Sequence, residues 1–229
     1  MSKRVLILEN DVALAHQLSD FFSNNGCATK QRSIGESGLS AADCEGADLI
    51  LMGLDLPSLH GRKHLVQLRQ FKQVPVIVLA SSGLEHQHIE CLNDGADDFL
   101  SKPFIMEELF ARAEAIFRRI QWSVHRCNSC GKTLVVDDLT LSRTELKAFY
   151  SGIEIPLTPI QFRLLWVLVE NRNEVLSKSY LYQVVLERAF SRYDRSLDMH
   201  LSRVRKKLIS SGMTPERFST IHGKGYRFA

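Results

Sequence analysis

The sequence has no apolar run long enough to cross a membrane, and its N-terminus, SKRVLILEN, lacks the long apolar core of a secretory signal peptide. We therefore expect a cytoplasmic protein without a membrane segment. The five cysteines are odd in number and spread over the chain, which argues against a secreted disulfide scaffold. Hydrophobic residues make up 45% and charged residues 24%, as in globular proteins, and 229 residues suffice for two modest domains.

The net charge of +3 is small, but its distribution is uneven. Residues 1–120 carry 12 lysines and arginines against 16 aspartates and glutamates, whereas residues 134–229 carry 15 against 10. An acidic first half and a basic second half indicate that only the second half meets a polyanion such as DNA.

The first half alternates between short apolar runs and helical patterns. The apolar runs occupy 5–8, 48–54, 75–80 and 98–101, and the helical patterns occupy 14–22, 61–71, 85–93 and 106–120. This alternation predicts an α/β domain, a doubly wound fold with a five-stranded parallel sheet. Sites in such sheets lie beyond the carboxyl ends of the strands, where this chain has Glu9, Asn10, Gly53, Ala80 and Lys102.

In the second half, residues 193–208, YDRSLDMHLSRVRKKL, fit an amphipathic helix with Asp194 where an N-cap belongs. Its apolar stripe consists of Leu197, Leu201, Val204 and Leu208. Its polar and basic stripe consists of Arg195, Met199, Ser202, Arg203 and Lys206. A helix with forked arginine donors fits the major groove of DNA, where guanine offers two acceptors. The alternative is an ordinary surface helix with a solvated charged face.

The C-terminal residues Thr220–Phe228, TIHGKGYRF, predict a β-hairpin with a basic tip, because short apolar or aromatic runs flank a Gly-Lys-Gly turn. A reading helix followed by a basic hairpin is typical of a winged helix-turn-helix, an α+β domain. Strands are predicted upstream at 134–141, 145–150 and 153–157. A helix should then start at Thr158-Pro159, and a second helix, capped by Ser177, should span 178–186.

Four motifs, LILENDVAL, DLILMGLDLPSLHG, PVIVLASSG and GADDFLSKPF, resemble the receiver domain of bacterial two-component response regulators. RYDRSLDMHLSRVRKKL is similar to the winged-helix effector of the OmpR/PhoB family, closest to its CpxR type. The resemblance implies a receiver at 1–120, a linker at 121–133 and a winged-helix DNA-binding domain at 134–229. It also implies a transcription regulator, not an enzyme, that binds double-stranded promoter DNA as a homodimer. In relatives, the loop at 187–193 can also contact RNA polymerase.

The receiver departs from the family's pattern at its phosphorylation site. In the family, the strand corresponding to DLILMG ends in an aspartate that takes the phosphoryl group, and this chain has Gly53 there. The acidic pair that holds Mg²⁺ corresponds to Glu9 and Asn10, and an amide in place of a carboxylate weakens a magnesium site. We therefore expect no aspartyl phosphorylation, no bound metal and no other cofactor.

The family's switch residues are also altered. The hydroxyl residue that follows the phosphoryl group corresponds to Ala80, the aromatic switch position is Phe99, and only Lys102 remains of the charged set. Two alternatives to a phosphate-independent receiver stay open. Asp55, two residues beyond Gly53, could accept the phosphoryl group in an enzymatic receiver, or the receiver could respond to a protein partner or to cysteine oxidation.

The same resemblance assigns roles on the DNA-binding domain. Base contacts are expected from Arg203, together with Met199, Ser202 and Lys206. Phosphate contacts, which position the protein without specifying sequence, are expected from Arg195 and Lys207. At the hairpin, His222 should reach the minor groove, with Thr220 and Lys224 near the backbone.

Two further sets of residues have both a functional and an ordinary interpretation. Asp97, Asp98, Glu107 and Arg112 lie in the stretch that the family uses for a two-fold dimer face, although exposed charges contribute little individually and are usually solvated. Cys127 and Cys130 form a CxxC in the predicted linker. This pair could be part of a solvated linker, a redox pair, or half of a metal site that another subunit completes.

Overall fold

The computed structural model describes residues 2–33, 44–54, 61–71, 73–81, 85–125, 133–188, 190 and 194–229. The chain divides into two compact units, Met1–Phe117 and Arg118–Ala229. In the described residues, no helix combines the length and the apolarity that crossing a membrane requires.

The first unit contains a five-stranded parallel sheet with the order β2-β1-β3-β4-β5. Its strands are β1 (Lys3–Leu8), β2 (Cys27–Arg32), β3 (Leu49–Gly53), β4 (Val76–Ser81) and β5 (Asp98–Lys102). Its helices are α1 (Val12–Asn24), α2 (Gly61–Phe71), α3 (Glu85–Asp94) and the first part of α4 (Met106–His125), which continues past Phe117. The predicted α/β receiver fold is confirmed.

The three central strands β1, β3 and β4 are buried because they are apolar on both faces, as strands between two helical layers must be. The edge strand β2 is different. Its sequence, CATKQR, is mostly exposed and contains no apolar run. For that reason the hydrophobic pattern gave no separate strand at this position, although the predicted strand count included it.

The helices of the first unit begin and end for local reasons. Asp11 caps α1, since its carboxylate accepts hydrogen bonds from the amides of Ala13 (3.0 Å) and Leu14 (3.1 Å). The last helix, α4, extends to His125, past its predicted end at Ile120. The segment QWSVH contains neither glycine nor proline to stop a helix. Residues 121–125, the first part of the predicted linker at 121–133, therefore continue α4.

The second unit begins with a four-stranded antiparallel sheet, β6 (Thr133–Val136), β7 (Leu139–Ser142), β8 (Lys147–Tyr150) and β9 (Ile153–Ile155). The single strand predicted at 134–141 is corrected to two strands. They are joined by a tight turn in which Asp137 has a positive φ of 48°. Aspartate tolerates this left-handed conformation better than most residues, so the pair Asp137-Asp138 was the available signal of a turn.

The helices of the second unit are α5 (Pro159–Glu170), α6 (Lys178–Leu181) and α7 (Ser196–Ser210), and a hairpin of β10 (Phe218–Ile221) and β11 (Gly225–Phe228) follows. The helix predicted at 178–186 is corrected, because a π-helical segment, Tyr182–Leu186, follows α6. The predicted caps Thr158 and Ser177 are confirmed as the N-cap residues of α5 and α6. The N-cap of α7 is Arg195, although Asp194 accepts a hydrogen bond from the Ser196 amide at 2.9 Å.

The core of the second unit forms around α5, whose residues from Ile160 to Val169 are all buried. The predicted apolar stripe of α7 packs into this core, and Leu197, Leu201, Val204 and Leu208 are all buried. The non-directional burial of apolar surface fixes α7 on the domain with its polar side facing outward. The winged-helix fold predicted for this half is confirmed.

Candidate functional sites

The carboxyl edge of the receiver sheet brings Glu9, Gly53 and Lys102 together. Glu9 follows β1 and is 5% exposed, Gly53 ends β3, and Lys102 ends β5. The ammonium of Lys102 lies 2.8 Å from Oε2 of Glu9. The other carboxylate oxygen, Oε1, accepts hydrogen bonds from the amides of Asn10 (3.0 Å) and Asp11 (3.2 Å). The negative charge of Glu9 is therefore neutralised and hydrogen-bonded within the chain.

The Glu9 carboxylate lies directly against Gly53. A Cβ atom at position 53 would be 2.5 Å from Oε2 of Glu9 and 2.8 Å from its Cδ. Real Cβ atoms do not approach other heavy atoms so closely, so a side chain at 53 would require Glu9 to move. The receiver has a carboxylate at this edge, but it belongs to residue 9.

The remaining oxygen donors near this edge fit a magnesium ion poorly. Asn10 offers an amide oxygen, and that oxygen accepts a hydrogen bond from the Ser33 hydroxyl at 2.8 Å. The Asp11 carboxylate caps α1. In the part of the chain that the structure describes, no three histidine, cysteine, aspartate or glutamate side chains gather as metal ligands. Asp55, the alternative phosphoryl acceptor, lies outside the described residues.

The two switch positions are both in the interior of the receiver. Ala80 is fully buried in β4 and has no hydroxyl. Phe99 is 7% exposed and stacks on the His88 ring, with 4.4 Å between ring centroids and 18° between ring planes. This stacking was not predictable from the sequence pattern, because His88 lies on α3 and Phe99 on β5.

Of the predicted dimer residues, Asp97 and Asp98 are buried, Arg112 is half-buried and Glu107 is exposed. Asp97 is 2% exposed and pairs with Arg69 at 2.7 Å, so it does not lie on the outer face where it was predicted. Arg112 bridges Asp98 at 3.1 Å and Glu108 at 2.7 Å, and Glu107 is exposed. The sequence did not identify Arg69 as the partner of Asp97, since 28 residues separate them.

The four predicted base-contacting residues lie on α7 outside its buried apolar stripe, and the predicted phosphate contact Arg195 is the N-cap of this helix. Arg195, Ser202 and Lys206 are exposed, whereas Met199 and Arg203 are half-buried, and Nε and Nη2 of Arg203 are buried. Their spacing of three and four residues places them on one side of the helix. This face can enter a groove without disturbing the buried stripe.

Two basic residues of α7 have contacts inside the domain. The Lys207 ammonium donates to the Pro156 carbonyl oxygen and to Oε1 of Gln161 at 2.9 Å, although it was predicted to contact phosphate. Arg205, which the pattern placed beside the apolar stripe, donates to the Phe218 carbonyl oxygen at 2.8 Å. Lys207 thereby joins α7 to the start of α5, and Arg205 joins α7 to the hairpin.

The hairpin exposes the three residues predicted to approach DNA, namely Thr220, His222 and Lys224. Its position relative to α7 is set by contacts that the sequence did not reveal. The Tyr226 hydroxyl donates to the Asp198 carboxylate, and Lys178 on α6 lies 2.9 Å from the same carboxylate. Burial and this hydrogen bond raise the pKa of Tyr226, so the phenol remains a donor at neutral pH.

The base of the hairpin also requires a glycine. Tyr226 exchanges two backbone hydrogen bonds with Leu176, at 2.9 and 3.0 Å. Gly225, which precedes it, has φ +153°, and a Cβ atom there would overlap the Leu176 carbonyl oxygen. The GKGYRF motif thus contains one glycine that is needed for close backbone approach.

Three of the five cysteines, Cys27, Cys44 and Cys91, lie within the described residues. Cys44 and Cys91 are buried, and Cys27 is half-buried. Burial raises the pKa of Cys91 to about 12, which keeps it protonated and poorly reactive. Cys127 and Cys130 lie outside the described residues.

Comparison with known proteins identifies both halves. The family model "Response regulator receiver domain" matches residues 5–114, and the model "Transcriptional regulatory protein, C terminal" matches residues 152–228. Transcriptional activator protein PfeR of Pseudomonas aeruginosa is 35% identical over 98% of this chain and 72% of its own length. Transcriptional regulatory protein CpxR of Escherichia coli is 35% identical over 97% of each chain.

Among solved structures, a mutant of RitR aligns with a TM-score of 0.79 at 25% identity, covering 100% of this chain and 99% of that one. The matched regions agree with the parallel-sheet and winged-helix units described above. Both domain types, in this order, occur along one chain, and full-length relatives share the arrangement. This chain therefore belongs to the OmpR/PhoB family of two-component response regulators, with a receiver followed by a DNA-binding transcription-regulator domain.

Proposed function

We propose that this protein is a sequence-specific promoter-binding regulator whose receiver works as a dimer without aspartyl phosphate. The observation that carries the proposal is the Glu9 carboxylate, which lies against Gly53 and is neutralised by Lys102 at 2.8 Å. Phosphoryl transfer to a carboxylate needs a nucleophile and a cation to offset the charge of the transferring oxygens. Gly53 supplies no nucleophile, and Asn10 replaces a charged ligand with an amide.

The proposed DNA-reading surface consists of the outward face of α7 and the tip of the hairpin. Base contacts are assigned to Arg203, with Met199, Ser202 and Lys206 beside it, and a phosphate contact to Arg195. At the hairpin, His222 is assigned to the minor groove, with Thr220 and Lys224 at the backbone. Lys207 is left out of the phosphate-binding set, because its ammonium is bonded to Pro156 and Gln161.

The proposed dimer forms through the receiver's charged face, centred on half-buried Arg112 and exposed Glu107, with buried Asp98 as the ion-pair partner of Arg112. Asp97 is omitted because its side chain is only 1% exposed and is paired with Arg69 in the interior. Two protomers would then bind direct half-sites about 10–11 base pairs apart, one turn of the double helix. The proposed division of the chain is a receiver at 1–120, a linker at 121–133 and an effector at 134–229.

Two further assignments follow from promoter binding. The protein should act in the cytoplasm, the compartment that contains bacterial promoters. The loop at 187–193, most of which lies outside the described residues, remains the proposed contact for RNA polymerase. Arg188, near the start of this loop, forms an ion pair with Asp194, which precedes α7. Its guanidinium lies 2.7 Å from the Asp194 carboxylate.

The direct test of phosphate independence is intact-mass measurement after incubation with acetyl phosphate and Mg²⁺. The proposal expects no species heavier by about 80 Da, the mass of a phosphoryl group. A phosphorylated species that disappears in Asp55→Ala would make Asp55 the acceptor and contradict the proposal. CpxR of Escherichia coli, treated in parallel, serves as the comparison protein.

A further inference from the structure

We infer that Glu9 and Gly53 are a matched pair, in which the longer side chain of Glu9 supplies a permanent carboxylate at the place where residue 53 offers none. That carboxylate holds Lys102 and so ties β1 to β5 across the edge of the sheet. The inference rests on the proposed function, because it takes Gly53 to stand at the acceptor position. Glu9 is then a positioning residue that acts through Lys102.

The geometry of the sheet explains why residues 9 and 53 meet. Strands β1 and β3 are adjacent and parallel, and Leu8 is in register with Met52. The next residue of each strand, Glu9 and Gly53, therefore emerges side by side at the carboxyl edge. The three atoms nearest to a Cβ at 53 all belong to the Glu9 carboxylate.

The backbone of Gly53 does not itself require glycine, since its φ lies outside the left-handed region that other residues avoid. The absence of a side chain at 53 is thus explained by crowding from Glu9 and not by backbone strain. This separates Gly53 from Gly225, where both the backbone conformation and a carbonyl oxygen exclude a side chain.

The position of the Glu9 carboxylate is held by three donors. Two backbone amides bind Oε1, and the Lys102 ammonium binds Oε2. The side chain of Glu9 is 2% exposed and that of Lys102 is 19% exposed. A carboxylate so far from water is stable only when charge and hydrogen bonds offset its desolvation, so Glu9 cannot move off Gly53 without loss.

Side-chain length makes the inference testable. Aspartate at position 9 is shorter by one C–C bond, about 1.5 Å, so its carboxylate would withdraw from position 53. The effect of adding a methyl group at 53 should therefore depend strongly on which acid stands at 9. Non-additivity of this kind is the signature of residues in contact.

The first experiment is a double-mutant cycle on the full-length protein, with unfolding of the receiver followed in urea. Gly53→Ala should raise the unfolding equilibrium constant at least about tenfold with Glu9 present, and less than about threefold in the Glu9→Asp background. Glu114→Asp, an exposed change on α4, is the control background and should leave the full effect of Gly53→Ala. Equal effects of Gly53→Ala in all three backgrounds would overturn the inference.

The second experiment does not depend on stability. Acylation of lysines by acetic anhydride, followed by mass spectrometry, reports how firmly each ammonium is held. Glu9→Gln preserves length but removes the charge, and it should raise the labelling rate of Lys102 at least about threefold while leaving the exposed Lys63 unchanged. An unchanged rate at Lys102 would show that Glu9 does not position it.

The intact mass of the unsubstituted protein after treatment with acetyl phosphate distinguishes failure of the proposed function from failure of the Glu9–Gly53 pair. If that protein gains a phosphoryl group, the proposed function fails, while the cycle and the labelling still decide whether Glu9 and Gly53 are matched. If it gains none and the cycle is additive, the matched pair alone is wrong.

Discussion

The receiver's carboxyl edge and the outward face of α7 are both rich in polar groups, but they treat their charges differently. At the receiver edge, Glu9 and Lys102 neutralise each other at 2.8 Å and are largely removed from water. On the outward face of α7, Arg195 and Lys206 are exposed to solvent. Charges that are paired within the chain neutralise each other, whereas exposed basic groups remain able to bind a polyanion.

The difference shows that the presence of charged residues does not by itself define an active site. Lys102 survives from the family's charged set, yet its described ion-pair partner is a glutamate of the same domain. Lys207 on α7 is likewise a basic residue with partners inside its own domain, since its ammonium donates to Pro156 and Gln161. Exposure and partners decide which basic groups can meet a ligand.

The largest expected effect comes from the base of the hairpin. Gly225→Ala should destabilise the DNA-binding domain by about 3 kcal/mol or more, because the new Cβ overlaps the Leu176 carbonyl oxygen and φ is +153°. Gly223→Ala in the same hairpin is the matched control. A Cβ there meets nothing within 4 Å, so only the positive φ of 74° matters, and the cost should be about 1–2 kcal/mol. Urea unfolding measures both, and equal losses would refute this account of Gly225.

The next effect concerns base reading on α7. Arg203→Ala should weaken binding to the preferred site by about 1–3 kcal/mol and relax its sequence preference, because a guanidinium that contacts guanine discriminates between bases. Lys206→Ala, on the same face, is the comparison variant. Titrations on the preferred site and on scrambled DNA measure the difference, and a loss that is equal on all sequences would make Arg203 a phosphate contact.

A smaller effect is expected at the receiver's charged face. Charge reversal by Arg112→Glu should reduce cooperative binding to tandem half-sites about fivefold or more, since the guanidinium that joins Asp98 and Glu108 becomes a like charge. Binding to a single half-site should not change. Footprinting on both DNAs makes the comparison, and equal weakening on the two would show that the face does not mediate dimerisation.

The smallest effect is expected for the cysteine pair outside the described residues. Replacing Cys127 and Cys130 together with serine should leave DNA affinity within about threefold, because few contacts cross a linker. The measurement should be made under reducing conditions and again after mild oxidation. A large loss that zinc or an oxidant controls in the unsubstituted protein would show that this pair regulates binding.

The fold was predictable wherever burial requires a regular pattern of apolar residues in the sequence. The apolar runs of β1, β3 and β4 and the stripe of α7 were sufficient for both domain types. The pattern did not locate β2, which is an exposed edge strand with no apolar run. It also merged β6 with β7, because the turn between them is only Asp137-Asp138.

The candidate sites were predictable as residue types but not as contacts. The motifs identified Glu9, Gly53 and Lys102, yet only the folded sheet shows that the carboxylate of one fills the space beside another. Asp97 was assigned to the dimer face because the family uses that stretch for dimerisation, whereas in the structure Arg69 compensates its charge in the interior. Such pairings depend on strand order and side-chain reach, which sequence periodicity does not encode.

The most direct test of the central claim is a titration of the full-length protein on DNA containing two half-sites, with and without acetyl phosphate and Mg²⁺. Because the receiver already has a neutralised carboxylate at its edge, the account predicts that the two binding curves superpose and that the dimeric footprint forms in both. A curve that shifts to tighter binding with the phosphodonor, accompanied by a phosphorylated protein in the same sample, would contradict it.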